Sequence, residues 1–160
     1  MAHPGANGWL LLLLLLLTAC DGTVYHGYKV VDGDVWKPKD TLVYRYVPNR
    51  SRDVSGMYVL RAGVRVTAGY EYRNLVLRVE SYVPGAAMSP GVDTVVCKVY
   101  DNEGRREGST AGLLYQLSSN AVQTVSLLGD TVVFRISHLM DDDSLRGVSD
   151  VGLKLMSVRE

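Results

Sequence analysis

After residue 21 the apolar side chains recur at every second position rather than every third or fourth, a period that restricts this chain to strands. Leu75, Leu77 and Val79 alternate with Val76, Arg78 and Glu80. Val132, Phe134 and Ile136 alternate with Val133, Arg135 and Ser137. Val151, Leu153 and Leu155 alternate with Gly152, Lys154 and Met156, and Leu42, Tyr44 and Tyr46 keep the same rhythm. The stretches near 57–66 and 92–100 are also rich in β-branched and aromatic residues, which suit a pleated, half-buried surface. Turn residues punctuate these runs at Asp32-Gly33, Pro48-Asn49, Ala68-Gly69, Pro84-Gly85, Pro90-Gly91, Asn102-Glu103-Gly104 and Gly129-Asp130. About eight short strands at such spacing predict an all-β, antiparallel β-sandwich, jelly-roll-like, with one wet face on each sheet. Helix should be scarce, confined to candidates at Gly112–Ser119 and a turn at Ser144–Gly147 that Asp143 or Ser144 caps.

The head of the chain follows a different rule. Trp9 opens a block of eight leucines, Leu10 to Leu17, closed by Thr18-Ala19-Cys20. A helix needs about 20 apolar residues to cross a hydrocarbon core of about 30 Å, so this run is too short to span. Unbroken leucine also offers no polar face with which a short helix of a folded domain meets water. The length fits the apolar region of a signal peptide, and small residues follow where a peptidase cuts. Cysteine after Leu-Thr-Ala matches the bacterial lipobox. Residues 1–19 are therefore expected to be removed, and Cys20 to become a lipidated N-terminus bearing acyl chains such as palmitate. The segment Met1–Gly8 holds no Lys or Arg, leaving the amino terminus and His3 as its positive charge. Residues 20–24 then form a short tether, and residues 25–160 one sandwich domain.

Charge excludes several classes. The 17 Lys and Arg balance the 17 Asp and Glu, and the segment 1–19 contains none of them. Nucleic acid needs a basic face, as does a polybasic membrane patch, so the membrane bond expected here is lipid. At about 0.8 kcal/mol per buried CH₂, three acyl chains anchor almost permanently. Cys97 is left without an intrachain partner. In Val95-Val96-Cys97-Lys98-Val99 it shares a face with Val95 and Val99, where a thiol acts as a small buried hydrophobe.

No catalytic set stands out, and no cofactor is expected. The run from His138 through Leu139, Met140, Asp141, Asp142, Asp143, Ser144 and Leu145 to Arg146 is the most charged place in the chain, with Asp150 nearby. Adjacent carboxylates can hold Ca²⁺, but the ligand alternation of an EF-hand is missing, so a solvated loop is the simpler reading. His138 beside an aspartate lacks a nucleophile. With His3 removed, His26 and His138 are too few for a three-histidine zinc site. Ten tyrosines stand against one phenylalanine. Tyr25, Tyr28, Trp36, Tyr44, Tyr46, Tyr70 and Tyr72 could form a platform for sugar stacking, which makes a lipid-anchored carbohydrate-binding sandwich the alternative class. Cross-strand packing uses such rings equally well.

The whole sequence resembles the GldH gliding-motility lipoprotein family of the Bacteroidetes. The likeness is strongest from Phe134-Arg135-Ile136-Ser137-His138-Leu139-Met140 through Asp143, Leu145, Gly147, Val148 and Asp150 into Val151-Gly152-Leu153. Cys20-Asp21 with Tyr25, Trp36 ahead of Leu42, Arg61, and Tyr70-x-Tyr72-x-Asn74-Leu75 extend it along the domain. Two places depart from the family pattern: Asp141 stands where an Arg usually follows Met140, and Asp101-Asn102-Glu103-Gly104-Arg105-Arg106 lacks the usual Trp. The resemblance implies a structural or assembly component of a gliding-motility and type IX secretion envelope machine, not an enzyme. Its expected partners are other envelope lipoproteins or motility and secretion proteins, met through His138, Met140, Asp141, Asp142, Asp143 and Asp150. Surface-displayed lipoproteins of that phylum carry several acids after the cysteine, whereas Asp21 stands alone here. The periplasmic face of the outer membrane is thus the expected location, with the inner membrane as the alternative.

Asp-Thr/Ser-aliphatic triplets, which resemble O-glycosylation acceptors of exported Bacteroidetes proteins, place candidate sites at Thr41, Thr94, Thr131 and Ser144. The same triplets serve turn-to-strand junctions without any sugar. Mass spectrometry of protein from the native host checks both modifications. The N-terminal peptide should begin at Cys20 and carry diacylglycerol, and intact mass should exceed polypeptide plus lipid if any hydroxyl is glycosylated. An unmodified Cys20 preceded by residues 1–19 rejects the lipobox reading.

Overall fold

The computed structural model describes residues 22–49, 56–87, 90–120, 123–127 and 131–158. The segment 1–19, Cys20 and the Gly129-Asp130 turn lie outside these residues.

Two antiparallel sheets carry the alternation read from the sequence. The larger contains β1 (Thr23–Val30), β4 (Gly56–Val66), β7 (Ser109–Ala111), β8 (Leu114–Ser118), β9 (Gln123–Leu127) and β12 (Val148–Ser157), ordered β1-β12-β4-β8-β7 with β9 also on β4. The smaller holds β3 (Leu42–Tyr46), β5 (Asn74–Tyr82), β6 (Gly91–Lys98) and β10 (Val132–His138), ordered β3-β10-β5-β6. A two-stranded ribbon pairs β2 (Val35–Trp36) with β11 (Leu145–Arg146). Every pairing among the described strands is antiparallel.

The inner faces share one core. Leu60, Ala62 and Val64 of β4 and Leu153 and Leu155 of β12 face Leu75, Leu77 and Val79 of β5 and Phe134 and Ile136 of β10, all buried. Cys97 joins them with Val95 and Val99, and burial pushes its thiol up to about 12. Trp36, Tyr44, Tyr46 and Tyr70 are buried as well, which removes them from any surface platform. Tyr44 donates its hydroxyl to the Val151 carbonyl at 2.7 Å, so the polar tip of a buried ring ties the two sheets together.

Several local expectations need correction. Gly112–Ser119 is not helical: Gly112 takes a left-handed φ of 65°, turning β7 back into β8, where Leu117 points inward. Ser144–Gly147 is not a capped helical turn either. Ser144 leads into β11, and its backbone N–H is accepted by Asp142, a side chain the sequence reading passed over for that role. Thr23 and Val24, expected in the tether, already belong to β1, where Thr23 pairs with Met156. The described strands number twelve rather than about eight, because β2, β7 and β11 are too short for a periodic signal.

Gly147 is the most constrained turn. Its φ is 82°, and a Cβ there would lie 2.8 Å from the Tyr70 Cα and 2.9 Å from the Tyr70 nitrogen, while its carbonyl accepts from Thr67 at 2.9 Å. Gly104 has a similar φ of 77° with open space around it. Gly104→Ala should therefore cost about 1 kcal/mol of backbone strain, and Gly147→Ala about 2 kcal/mol or more, since backbone cannot step aside. Urea denaturation of the two variants checks this, and equal losses would show that the Tyr70 contact is slack.

Candidate functional site

The residues expected to meet a partner do not converge on one surface. His138 ends β10 on the inward side set by Phe134 and Ile136, and it is buried. Its Nε2 lies 3.1 Å from the Trp36 carbonyl. A carbonyl only accepts, so Nε2 carries the proton and Nδ1 is free to accept the Met140 N–H at 3.3 Å. The imidazole also meets the Trp36 ring edge to face, with centroids 5.2 Å apart. Trp36 in turn donates its indole N–H to the Asp40 carbonyl at 2.7 Å and pairs through β2 with Leu145. The Trp36 ring, His138 and Leu145 thus form the buried seat on which the 139–144 loop rests.

Met140 is half-buried against the core, and its sulfur lies 3.4 Å from the Val76 N–H. Asp142 accepts the Ser144 N–H and the Tyr72 hydroxyl, each at 2.8 Å. These two bonds, the Ser144 one foremost, hold its carboxyl below the usual range, and the Asp142 acceptor pushes the Tyr72 phenol up. Asp141 and Asp143 are exposed. Asp150 sits apart from them, within β12, opposite Arg65 of β4 and bonded to the Ser149 hydroxyl at 2.7 Å.

What the fold does bring together is a cluster of three loops at one end of the sandwich: 67–73, 99–108 and 139–147. Tyr70 is buried between them. It donates to the Asn74 carbonyl at 2.9 Å and accepts from the Tyr100 hydroxyl at 3.1 Å through its own carbonyl. Arg106 locks the middle loop. Its guanidinium lies 4.7 Å from the centroid of Tyr100 and 4.4 Å from that of Tyr115, and it donates to the Thr67 and Ala68 carbonyls at 3.2 and 2.6 Å. Arg73 reaches the Asp101 carbonyl at 3.0 Å and Asn102 at 2.6 Å. Asp101 accepts two backbone N–H groups and the Arg105 side chain, each at 2.8 Å, and Arg105 foremost holds its carboxyl low. Between Glu71, Arg73, Tyr100 and Asn102 lies an open cleft of about 370 Å³. Such an end presents carboxylates, guanidinium groups and tyrosine hydroxyls on loops that are held still.

Sequence reading missed the parts played by Arg73 and Arg106. Their hydrogen-bond acceptors are 28 to 39 positions away, and no local signal joins them. Among the described residues no group of three His, Cys, Asp or Glu is placed to hold a metal ion. Of the hydroxyls flagged for glycosylation, Thr94 and Ser144 are exposed and Thr41 and Thr131 are half-buried. Thr94 lies within β6 rather than at a turn.

Comparison with known proteins gives one family. The model described as GldH lipoprotein matches residues 23–155. No curated protein matches the chain.

The His138 geometry makes a pH prediction. Burial, the leading cause, holds its imidazole below the ordinary 6.5, against the opposing pull of the Trp36 carbonyl. Above that value both folded and unfolded chains carry it neutral. As pH falls through it the unfolded chain takes up the proton first, so stability declines until the folded imidazole also titrates. Urea denaturation from about pH 7.5 to about pH 5 should show this loss, and His138→Gln should flatten part of it. Identical pH slopes in the two proteins would mean that His138 is not so restrained.

Proposed function

Because the chain belongs to the GldH lipoprotein family, we propose that this gliding-motility-associated, membrane-anchored lipoprotein is a structural or assembly component of the motility and type IX secretion machinery of the cell envelope. The match across residues 23–155 carries this reading. In it, Cys20 bears the lipid, the domain faces the periplasm from the outer membrane, and the protein works by contact rather than by turnover. The packing of the loop end supports contact. His138, a buried histidine, has both ring nitrogens bonded, one to the Trp36 carbonyl of β2 and one to the Met140 N–H of the loop, and its neighbours Trp36 and Leu145 are sealed in the core. Asp141 and Asp143 stand exposed on that loop, while Arg106 and Asp142 hold the neighbouring segments in place. An exposed loop on a rigid scaffold is the usual place for recognition.

Asp141→Asn with Asp143→Asn tests the loop without touching its supports. Both side chains are solvated, so folding stability should change by about 0.5 kcal/mol or less. Crosslinked envelope complexes should be recovered in smaller amount, and the remaining association should depend less on salt, since exposed charge contacts are screened. Asp142→Asn should add a loss of loop order, because its carboxylate accepts from Tyr72 and Ser144. Full complementation and unchanged complexes with the double variant would reduce the loop to a connector.

A further inference from the structure

The opposite end of the larger sheet carries a pattern that the family does not assign. β1 enters there: Thr23 pairs with Met156, Gly22 accepts from Ser157 at 2.8 Å, and Val158 donates to Met57 at 3.0 Å. On the outward face at this end, Met57 is 52% and Val158 47% exposed, with Met156 and Val59 half-buried beside them. One pleat further along, the register aligns His26 of β1, Lys154 of β12 and Arg61 of β4 in a single cross-strand row. That row edges a cleft of about 160 Å³, whose floor is Gly152 and Gly63. The Tyr28 ring lies across both glycines, leaving no room for a Cβ on either.

Arg61 is the telling member. Its Nε is shut off from solvent and has no hydrogen-bond partner among the described residues. With that N–H sealed against the sheet and unpaired, the guanidinium of this half-buried side chain is under-satisfied, and a phosphate can meet only its terminal N–H groups. Among the outward residues of β1, β4 and β12 the one acid is Asp150, two pleats away and opposite Arg65.

We propose that this end is a membrane-docking surface, with Met57 and Val158 entering the interfacial layer and Arg61, with Lys154 and His26, receiving phosphate groups of phospholipid headgroups. The inference rests on the lipid-anchor reading, because Cys20 precedes His26 by six residues, a reach of about 20 Å at full extension. Rows on one strand face are about 6.6 Å apart, so apolar residues and cations are stacked in the order in which a bilayer presents acyl chain and phosphate. Arginine suits the phosphate role because its guanidinium pairs with two oxygens at once. The occupant is the bilayer and not soluble phosphate, since the exposed apolar residues adjoin the cations on the side where the anchor enters.

The test uses the full lipidated protein carrying Met57→Trp, reconstituted into vesicles of phosphatidylethanolamine and phosphatidylglycerol with brominated acyl chains. Bromine should quench the introduced indole, while Trp36, fully buried, supplies a constant background. Adding Arg61→Glu and Lys154→Glu should abolish the quenching, with co-flotation on the vesicles and thermal stability unchanged. An unquenched indole in a protein that still floats overturns docking and leaves the anchor intact. Quenching that survives both charge reversals overturns the phosphate contact. Failure to float refutes the anchor, and the docking surface with it.

Discussion

The pairing of β12 with β4 decides where every other part of this molecule can go. Nine residue pairs join the two strands in the middle of the larger sheet. A slip of one residue would turn the apolar set of one strand to water, either Leu60, Ala62 and Val64 or Leu153 and Leu155, and bring Arg61 or Lys154 into the core. The apolar set therefore fixes the register, and through it the outward row of cations follows without further instruction. The same ladder places Gly152 opposite Gly63, which opens the shelf on which Tyr28 lies. Arg65 then stacks on the exposed side of that ring at 4.0 Å. The single shift in the ladder, between Val148 and Asp150, falls beside Gly147, where the chain leaves the loop end and joins the sheet.

How legible this was from residues alone depended on the range of the interaction. Alternating strands such as Leu75–Glu80 and Val132–Ser137 announced both their existence and their core face, as did Cys97 between Val95 and Val99, although Val133 on the other side of β10 is buried too. Those features depend on burial, which period two records directly. Gly112–Ser119 misled because Leu113, Leu114 and Leu117 mimic a helical stripe, although Gly112 breaks it and Leu113 is in fact 92% exposed. Tyrosines were ambiguous for the same reason that makes them useful. A ring with a polar tip fits a surface platform or a core with an acceptor nearby, and the acceptors for Tyr44 and Tyr70 are backbone carbonyls that composition cannot locate.

The candidate site was legible in part. The 139–144 loop was found from its charges and from family likeness, yet residues adjacent in sequence have different fates within it. His138 and Leu145 are structural, Asp142 is bonded to Tyr72, and Asp141 and Asp143 alone among its aspartates are free for solvent. Asp150, grouped with them by proximity in the chain, belongs to the outward face of the larger sheet. The arginines that immobilise the neighbouring loops escaped notice because cation–π and carbonyl contacts leave no spacing to read. The likeness carried by Trp36, His138, Leu145, Tyr70 and Gly147 thus maps on to the seat of the loop rather than on to its exposed tip.

On the proposed readings the two ends of the sandwich have separable duties, and β12 links them. Its ten residues run from Gly147 and the loop cluster to Ser157 and the entry of β1, about 33 Å at strand rise. On the proposed reading, a chain tethered through Cys20 with only Asp21 and Gly22 before β1 has little freedom to reorient about its anchor. With the β1 end seated on headgroups, the sheet becomes a rigid strut that holds the loop cluster at a set height from the bilayer. Such a strut suits assembly better than capture of a diffusing ligand. A partner embedded in the same envelope meets the loops at one orientation, so part of the orientational cost of association is already met before contact. The acidic loop needs only modest intrinsic affinity under those conditions. Lengthening the segment between Cys20 and Thr23 would then weaken assembly without altering a single contact residue.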